Sequence, residues 1–284
     1  MNNLDLFWAI HSQSMDLVAT RLQAYARHIE ANGIEAGPAE DAQRDGYPIH
    51  VTGGVAVIPL MGPMIRRAGP FAMMFGIVGT DMVRAMVETA LADEEIHTIL
   101  LRVDSPGGSV SGLAELADSI HSAEKPVIAQ IEGMAASAAY YIASQCDKVY
   151  LGRSDLVGSI GARLMLYDYS IMYEEAGVKA IPIDTGEFKS AGAVGTEITE
   201  EHQADFQRIV DFYFDDFVQA VMRGRDLTDE QVRAVGDGRM YTPKESMAAG
   251  LVDGIATIDQ TLSSLRQESR NGRSTQAAKA RLRA

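Results

Sequence analysis

Cysteine is nearly absent from this chain. Of 284 residues only Cys146 carries a thiol, so no intramolecular disulfide can form. That suits a reducing compartment, and an isolated cysteine of this kind reads as a small buried hydrophobe. Histidine is also sparse: His11, His28, His50, His97, His121 and His202 include no His-Glu-x-x-His pair and join no Cys/His cluster. The sequence therefore offers no zinc site, and no cofactor is expected. Long apolar runs are missing too. No stretch reaches the about 18 apolar residues needed to span a bilayer, and no N-terminal run shows the basic, then apolar, then small-residue order of a signal peptide. The expected product is soluble and cytoplasmic. Positive charge is in deficit, with 25 Lys and Arg against 39 Asp and Glu and a net charge of −14. This argues against general binding to nucleic acid or to an anionic membrane. The deficit is uneven, because residues 266–284 carry +5 and the remainder −19.

The patterning predicts a single α/β domain with extensions. Residues 4–31 show apolar steps of three and four (Met15, Val18, Leu22, Tyr25, Ile29) and read as helix, and residues 32–48 read as a Gly- and Pro-containing linker. The expected division is thus an N-terminal helical extension and linker over 1–48, a catalytic domain over 49–265, and a basic, disordered tail over 266–284. Strands are expected at Val55–Leu60, Thr98–Val103, Val127–Ile131, Lys148–Leu151 and Ala180–Asp184. Helices are expected from Thr80 or Asp81 as cap to about Leu91, from the Pro-Gly-Gly turn to about Ala123, from Ser137, over Tyr167–Ala176, over Thr199–Met222 and from Pro243. Strands alternating with helices imply mostly parallel pairing. Residues 61–79, rich in Met and Phe among glycines and prolines, read as an exposed or interfacial loop rather than a core helix.

Four motifs carry chemistry. Met134-Ala-Ala-Ser-Ala-Ala-Tyr-Tyr-Ile142 sets Ser137 at the start of an apolar helix, beside unpaired backbone N–H groups and the positive end of the helix dipole. Small neighbours leave room for a peptide; the same pattern also suits a closely packed helix face. Gly186-Glu-Phe-Lys-Ser-Ala-Gly192 holds Lys189 in a loop. An ordinary lysine titrates near about 10.4, so a lysine base must be held dry and away from carboxylates; the alternative is an exposed loop lysine. Asp104-Ser-Pro-Gly-Gly-Ser109 offers Gly107 and Gly108, whose amides suit an oxyanion or whose flexibility serves a turn. Val157-Gly-Ser-Ile-Gly161 supplies Ser159, placed to hold the neutral lysine amine or simply to cap its own turn. Along the chain the Pro-Gly-Gly turn comes first, then the Ser137 helix, the Gly-Ser-Ile-Gly turn and the Lys189 loop, and in that order the four motifs suggest a peptidase with Ser137 as nucleophile and Lys189 as base.

Over roughly residues 50–258 these motifs resemble the signal-peptide-peptidase-A-like serine peptidases, relatives of the Clp protease and crotonase folds. The resemblance implies a Clp/crotonase-like α/β fold, Ser137 as nucleophile, Lys189 as base, Ser159 as its assistant and Gly108 in the oxyanion hole. Ala138 and Ala139 depart from the family's frequent Gly-Gly, which narrows the expected groove. Family members form rings or domes, so a homo-oligomer is expected, with a dyad that neighbouring subunits can complete. Membrane-bound members degrade signal peptides; soluble phage members process scaffold and capsid proteins. The missing span and the basic tail favour the phage branch, with scaffold or capsid proteins as partners and the host cytoplasm, at proheads, as location. Two other readings stay open: an assembly module with a vestigial dyad, and an acyl-CoA-handling crotonase relative.

Overall fold

The computed structural model of the protein describes residues 7–10, 27 and 49–270. The expected linker, nearly all of the N-terminal helical stretch and the tail beyond residue 270 lie outside the described residues. Within the expected helix of residues 4–31, Phe7–Ile10 is instead a strand, β1, while Arg27 is helical. Aromatic and β-branched residue types suit a strand, and this one is paired on both sides by strands from later in the chain.

The chain then runs through β2 (His50–Thr52), β3 (Val55–Met61), β4 (Met64–Ile65), α1 (Pro70–Met74), β5 (Val78–Gly79), α2 (Thr80–Ala92), β6 (Thr98–Ser105), β7 (Gly107–Ser109) and α3 (Leu113–His121). It continues with β8 (Val127–Ala136), α4 (Ala138–Ala143), β9 (Lys148–Leu151), β10 (Leu156–Gly158), β11 (Arg163–Leu164), α5 (Ser170–Glu175) and α6 (Glu200–Arg225). Last come α7 (Asp229–Val235), β12 (Met240–Tyr241), α8 (Pro243–Ala248), β13 (Gly254–Ile255) and α9 (Ile258–Arg270).

The larger sheet has the order β12-β10-β8-β6-β3-β2, with β9 also on β8 and β13 on β9. Its centre, β3, β6 and β8, is parallel. These strands are apolar almost throughout because both faces are covered. Ala56, Ile58, Leu60, Ile99, Leu101 and Val103 point into the main core with the buried residues of α2, α3 and α4. The alternate residues Val55, Val57, Leu100 and Ile128 meet Leu265 of α9 on the opposite face. The chain expected to be tail from residue 266 is therefore still helix to Arg270, and Arg266 donates to Thr52 Oγ1 at 2.7 Å. Gln130, buried in β8, fastens this helix by accepting from Thr261 Oγ1 at 2.6 Å and donating to Ala256 O at 3.0 Å.

Several local expectations need correction. Gly79, not Thr80 or Asp81, is the N-cap of α2, and no side chain caps it. The Met-rich stretch is mixed: Met64 is fully buried, while Met73 and Met74 are exposed. The strand expected at Ala180–Asp184 does not form; those residues find no strand to pair with, and Ile183 is 95% exposed. Three helices open on local capping, with Thr199, Thr228 and Thr242 each closing a capping box with His202, Gln231 and Glu245. Cys146 is buried, and burial pushes its thiol far up, so it is an inert filler as expected.

The end of α6 is locked by a buried ion pair. Arg225 Nη1 lies 2.8 Å from Asp253 Oδ2, and Lys148 Nζ and the Val149 N–H reach the same carboxylate at 3.3 and 2.8 Å. Burial acts to raise the Asp253 carboxyl, but Arg225 and the other donors override it and hold it below the ordinary value. Arg225→Met leaves that carboxylate without its main partner, with Lys148 and the Val149 N–H still in place, and should cost about 1–3 kcal/mol at neutral pH. A depressed acid contributes stability above its unfolded-state value, near about 3.9, and loses it as pH falls through its folded value. Urea denaturation should therefore show the gap between the native chain and Arg225→Met narrowing in acid.

Candidate active site

Ser137 is the hinge between β8 and α4. Its backbone has φ 53 and ψ −120, a strained conformation for a residue with a Cβ. A sharp strand-to-helix turn of this kind holds a serine hydroxyl clear of the strand. The hydroxyl caps no amide of α4; its contact is the Gly161 carbonyl at 3.5 Å. The backbone is held on both sides, with Ser137 N–H donating to Gly158 O at 2.8 Å and Ser137 O accepting from Tyr141 N–H at 2.9 Å. Ala135, Ala136, Ala138 and Ala139 around it are fully buried. The packed-face reading is thus true as well. Helix α6 comes so close that a Cβ on Gly224 would lie 2.0 Å from Ser144 O, and Tyr141 Oη donates to Asp216 Oδ2 at 2.8 Å.

Ser159 stands beside Ser137. Strand β10 runs parallel to the last residues of β8, with Val157 opposite Ala135 and Gly158 opposite Ala136. Each serine follows directly on that pair, and each has φ just above +50. Neighbouring strands lie about 4.8 Å apart, so the two serines leave the sheet side by side. What was expected to be a turn at Val157–Gly161 is thus a strand through Gly158 followed by the turn. Ser159 N–H donates to Arg239 O at 2.7 Å, which fixes that turn against β12.

The glycine pair also lies at this end of the sheet, because Ser105 at the end of β6 pairs with Ala135. The expectation of a helix opening at Pro-Gly-Gly is corrected here. Gly107 and Gly108 belong to β7, taken up between β1 and β4, and α3 starts only after Gly112 at φ 83. A Cβ on Gly108 would lie 1.9 Å from Met64 O, so only glycine fits. Gly107, at φ 93, donates its N–H to Ser105 Oγ at 3.2 Å, and that hydroxyl donates to Gly62 O at 2.7 Å. The Gly107 amide is thereby engaged, and Gly108 is paired within the sheet, opposite Ala9 of β1 and Met64 of β4. Ser105 was not singled out from the sequence, although a serine two residues before a glycine is a recognisable side-chain turn signal. Asp104 accepts from Met134 N–H at 3.2 Å; desolvation pushes its carboxyl up, the amide opposes this, and Asp155 and Glu132 add to the rise.

Lys189 is not brought to this cluster. It lies exposed in a turn, its N–H donating to Gly186 O at 3.1 Å. The dry setting expected for a base is absent from the single chain. The surrounding arm is unusually apolar for its exposure, with Tyr167, Ile171, Ile181, Ile183 and Val194 all open. Among the described residues no group of three or more His, Cys, Asp or Glu side chains is arranged to hold a metal ion, and no helix is long and apolar enough to cross a membrane.

A model described as Peptidase family S49 matches residues 119–271, just over half of the chain. The chain is 28% identical over 223 residues to the head-tail preconnector protein GP5 of Enterobacteria phage P21, covering 78% of this chain and 44% of that protein. It is 27% identical over 229 residues to the capsid assembly protease C of Escherichia phage lambda, covering 80% and 52%. It is 23% identical over 228 residues to the chloroplastic serine protease SPPA of Arabidopsis thaliana, covering 78% and 34%. The chain thus spans about half or less of the length of these relatives. The crystal structure of an enoyl-CoA hydrotase/isomerase family protein from Silicibacter pomeroyi matches with a TM-score of 0.50 and 15% identity, over 83% of this chain and 87% of that one. That likeness shows the fold, which is the crotonase-like α/β fold expected from the sequence.

Gly108→Ala tests the packing of the glycine strand. The new methyl meets backbone rather than a movable side chain, so β7 must shift, at a cost of about 1–3 kcal/mol. Urea denaturation with an unchanged midpoint would show that β7 does not pass this close to Met64.

Proposed function

The chain belongs to peptidase family S49, and on that premise we propose that it is a serine endopeptidase with a Ser-Lys dyad. The observation that carries this reading is the pair Ser137 and Ser159, side by side at positive φ, with the Ser137 hydroxyl spent on no helix cap. Ser137 Oγ attacks the scissile carbonyl while the neutral Lys189 amine takes its proton. The Gly108 N–H supports the oxyanion, and Ser159 Oγ orients the amine. The protonated lysine then passes its proton to the leaving amine, and water, activated by the same lysine, hydrolyses the acyl-serine.

This mechanism needs Lys189 drier than one chain makes it. The exposed apolar arm around it supports the remedy: a homo-oligomer in which a second copy covers residues 165–199, excludes water from the lysine and completes the dyad. The phage relatives support scaffold or capsid proteins as substrates during head assembly. An assembly module with a vestigial dyad is the competing reading, favoured by the exposure of Lys189 in the single chain.

Incubation with a panel of denatured proteins decides between them. The native chain should cut extended segments, Ser137→Ala should cut nothing while remaining folded, and Lys189→Arg should lose activity by orders of magnitude, since arginine stays protonated. Cleavage should rise toward alkaline pH, because the neutral amine is the reactive form. Sedimentation should show an oligomer. Undiminished cleavage by Ser137→Ala, or full activity in a sedimenting monomer, contradicts the dyad or the shared site respectively.

A further inference from the structure

The smaller sheet has the order β11-β1-β7-β4-β5. Its third neighbour to the Ser137 cluster is therefore β1, the strand Phe7–Ile10, which lies between the glycine strand β7 and the strand β11 that follows Gly161. Against β7 the register is antiparallel, with Trp8 opposite Ser109, Ala9 opposite Gly108 and Ile10 opposite Gly107. Against β11 it is also antiparallel, with Phe7 opposite Leu164 and Trp8 opposite Arg163. Continued by two residues, this second register sets Ile10 opposite Gly161, whose carbonyl is the contact of Ser137 Oγ. Both registers thus converge. The C-terminal end of β1 arrives at the corner formed by the glycine pair, Gly161 and the candidate nucleophile, and its N-terminal end points away along Ser109 and Leu164.

A slot one strand wide has a definite chemistry. With β1 removed, β7 and β11 stand two strand spacings apart, about 9–10 Å, each presenting backbone N–H and C=O groups inward. Such a slot recognises any extended peptide by main-chain pairing on both sides. Gly107 and Gly108 leave the wall free of side chains where the peptide must come closest. The direction of β1 is that of a peptide on the acyl side of a scissile bond, its last residue at the oxyanion glycines. Belonging to the same chain gives the segment a high local concentration as occupant.

We infer that Phe7–Ile10 is an intramolecular peptide ligand of this slot, a pseudo-substrate that holds the site closed until another extended chain displaces it. The inference rests on the peptidase reading of Ser137, but its test is a binding measurement that does not. An octapeptide with the sequence of residues 5–12, labelled with fluorescein, is titrated by anisotropy into two full-length proteins. One is Ser137→Ala; the other is Ser137→Ala carrying Trp8→Pro and Ala9→Pro. Adjacent residues of a strand direct their N–H groups to opposite sides, so the two prolines remove one donor toward each neighbour. If the tethered segment fills the slot nine-tenths of the time, its release strengthens binding of the free peptide by about tenfold. A gain of that order confirms the occupant. Equal affinity for both proteins, or no binding to either, overturns it.

A second measurement uses the unaltered chain. Trp8 is the single tryptophan, so acrylamide quenching of tryptophan emission reports on β1 alone. Saturating the full chain with the same octapeptide carrying Phe in place of Trp should increase quenching; unchanged quenching overturns the inference. Absence of proteolysis by a chain that keeps Ser137 and carries Trp8→Pro and Ala9→Pro would instead contradict the function proposed for Ser137 and leave both binding results readable.

Discussion

The candidate site depends on the parallel pairing of β10 with the last three residues of β8. That pairing puts Gly158 opposite Ala136 and gives the Ser137 N–H a fixed acceptor in the Gly158 carbonyl. Both chains must then turn sharply at the same level, and both do so with a serine at positive φ. The strain of two such residues is of order 1–3 kcal/mol each, and it persists because the surroundings over-determine it. The Arg239 carbonyl holds Ser159, Tyr141 holds the carbonyl of Ser137, and α6 presses on α4 with only the hydrogen of Gly224 between them and a clash. The small residues around Ser137 therefore satisfy packing and access together.

The strands that position this site were legible because they are buried on both faces. Val55–Leu60, Thr98–Val103 and Val127–Ile131 are short apolar runs whose alternate residues meet α9 on one side and the main core on the other. The helices opening at Thr199 and Pro243 were legible as well, whereas the short helix Asp229–Val235, capped by Thr228, was not read from the sequence. Strands β1 and β7 were not legible for a corresponding reason. Gly107–Ser109 has no side-chain pattern to read, and its strand character comes wholly from the neighbours it meets. Phe7–Ile10 sits in a sequence with helical spacing, and its pairing is decided by an edge far along the chain. At Ala180–Asp184 the error ran the other way: an apolar run that looks like a buried strand is exposed.

That exposed arm bears on how the site works. Ser137, Ser159 and the glycine pair converge within one chain, whereas Lys189 stays on an apolar surface that water covers. A lysine base and an apolar cover belong together physically, because excluding water from the ammonium is what frees its lone pair. On the proposed reading assembly and activity are linked: a single copy would carry the nucleophile without a dry base, and an oligomer would supply the missing condition. Family membership and the crotonase-like fold set the frame for this; the roles proposed for Ser137 and Ser159 draw on local geometry, and that of Lys189 on the resemblance of its motif.

The most direct measurement of the central claim is labelling with a serine-directed fluorophosphonate, read by intact mass and peptide mapping. The account predicts one adduct per chain, on Ser137, forming faster as pH rises and slowed by orders of magnitude in Lys189→Arg. An adduct on another serine, an unreactive Ser137 in a folded oligomer, or a rate indifferent to Lys189→Arg would contradict it.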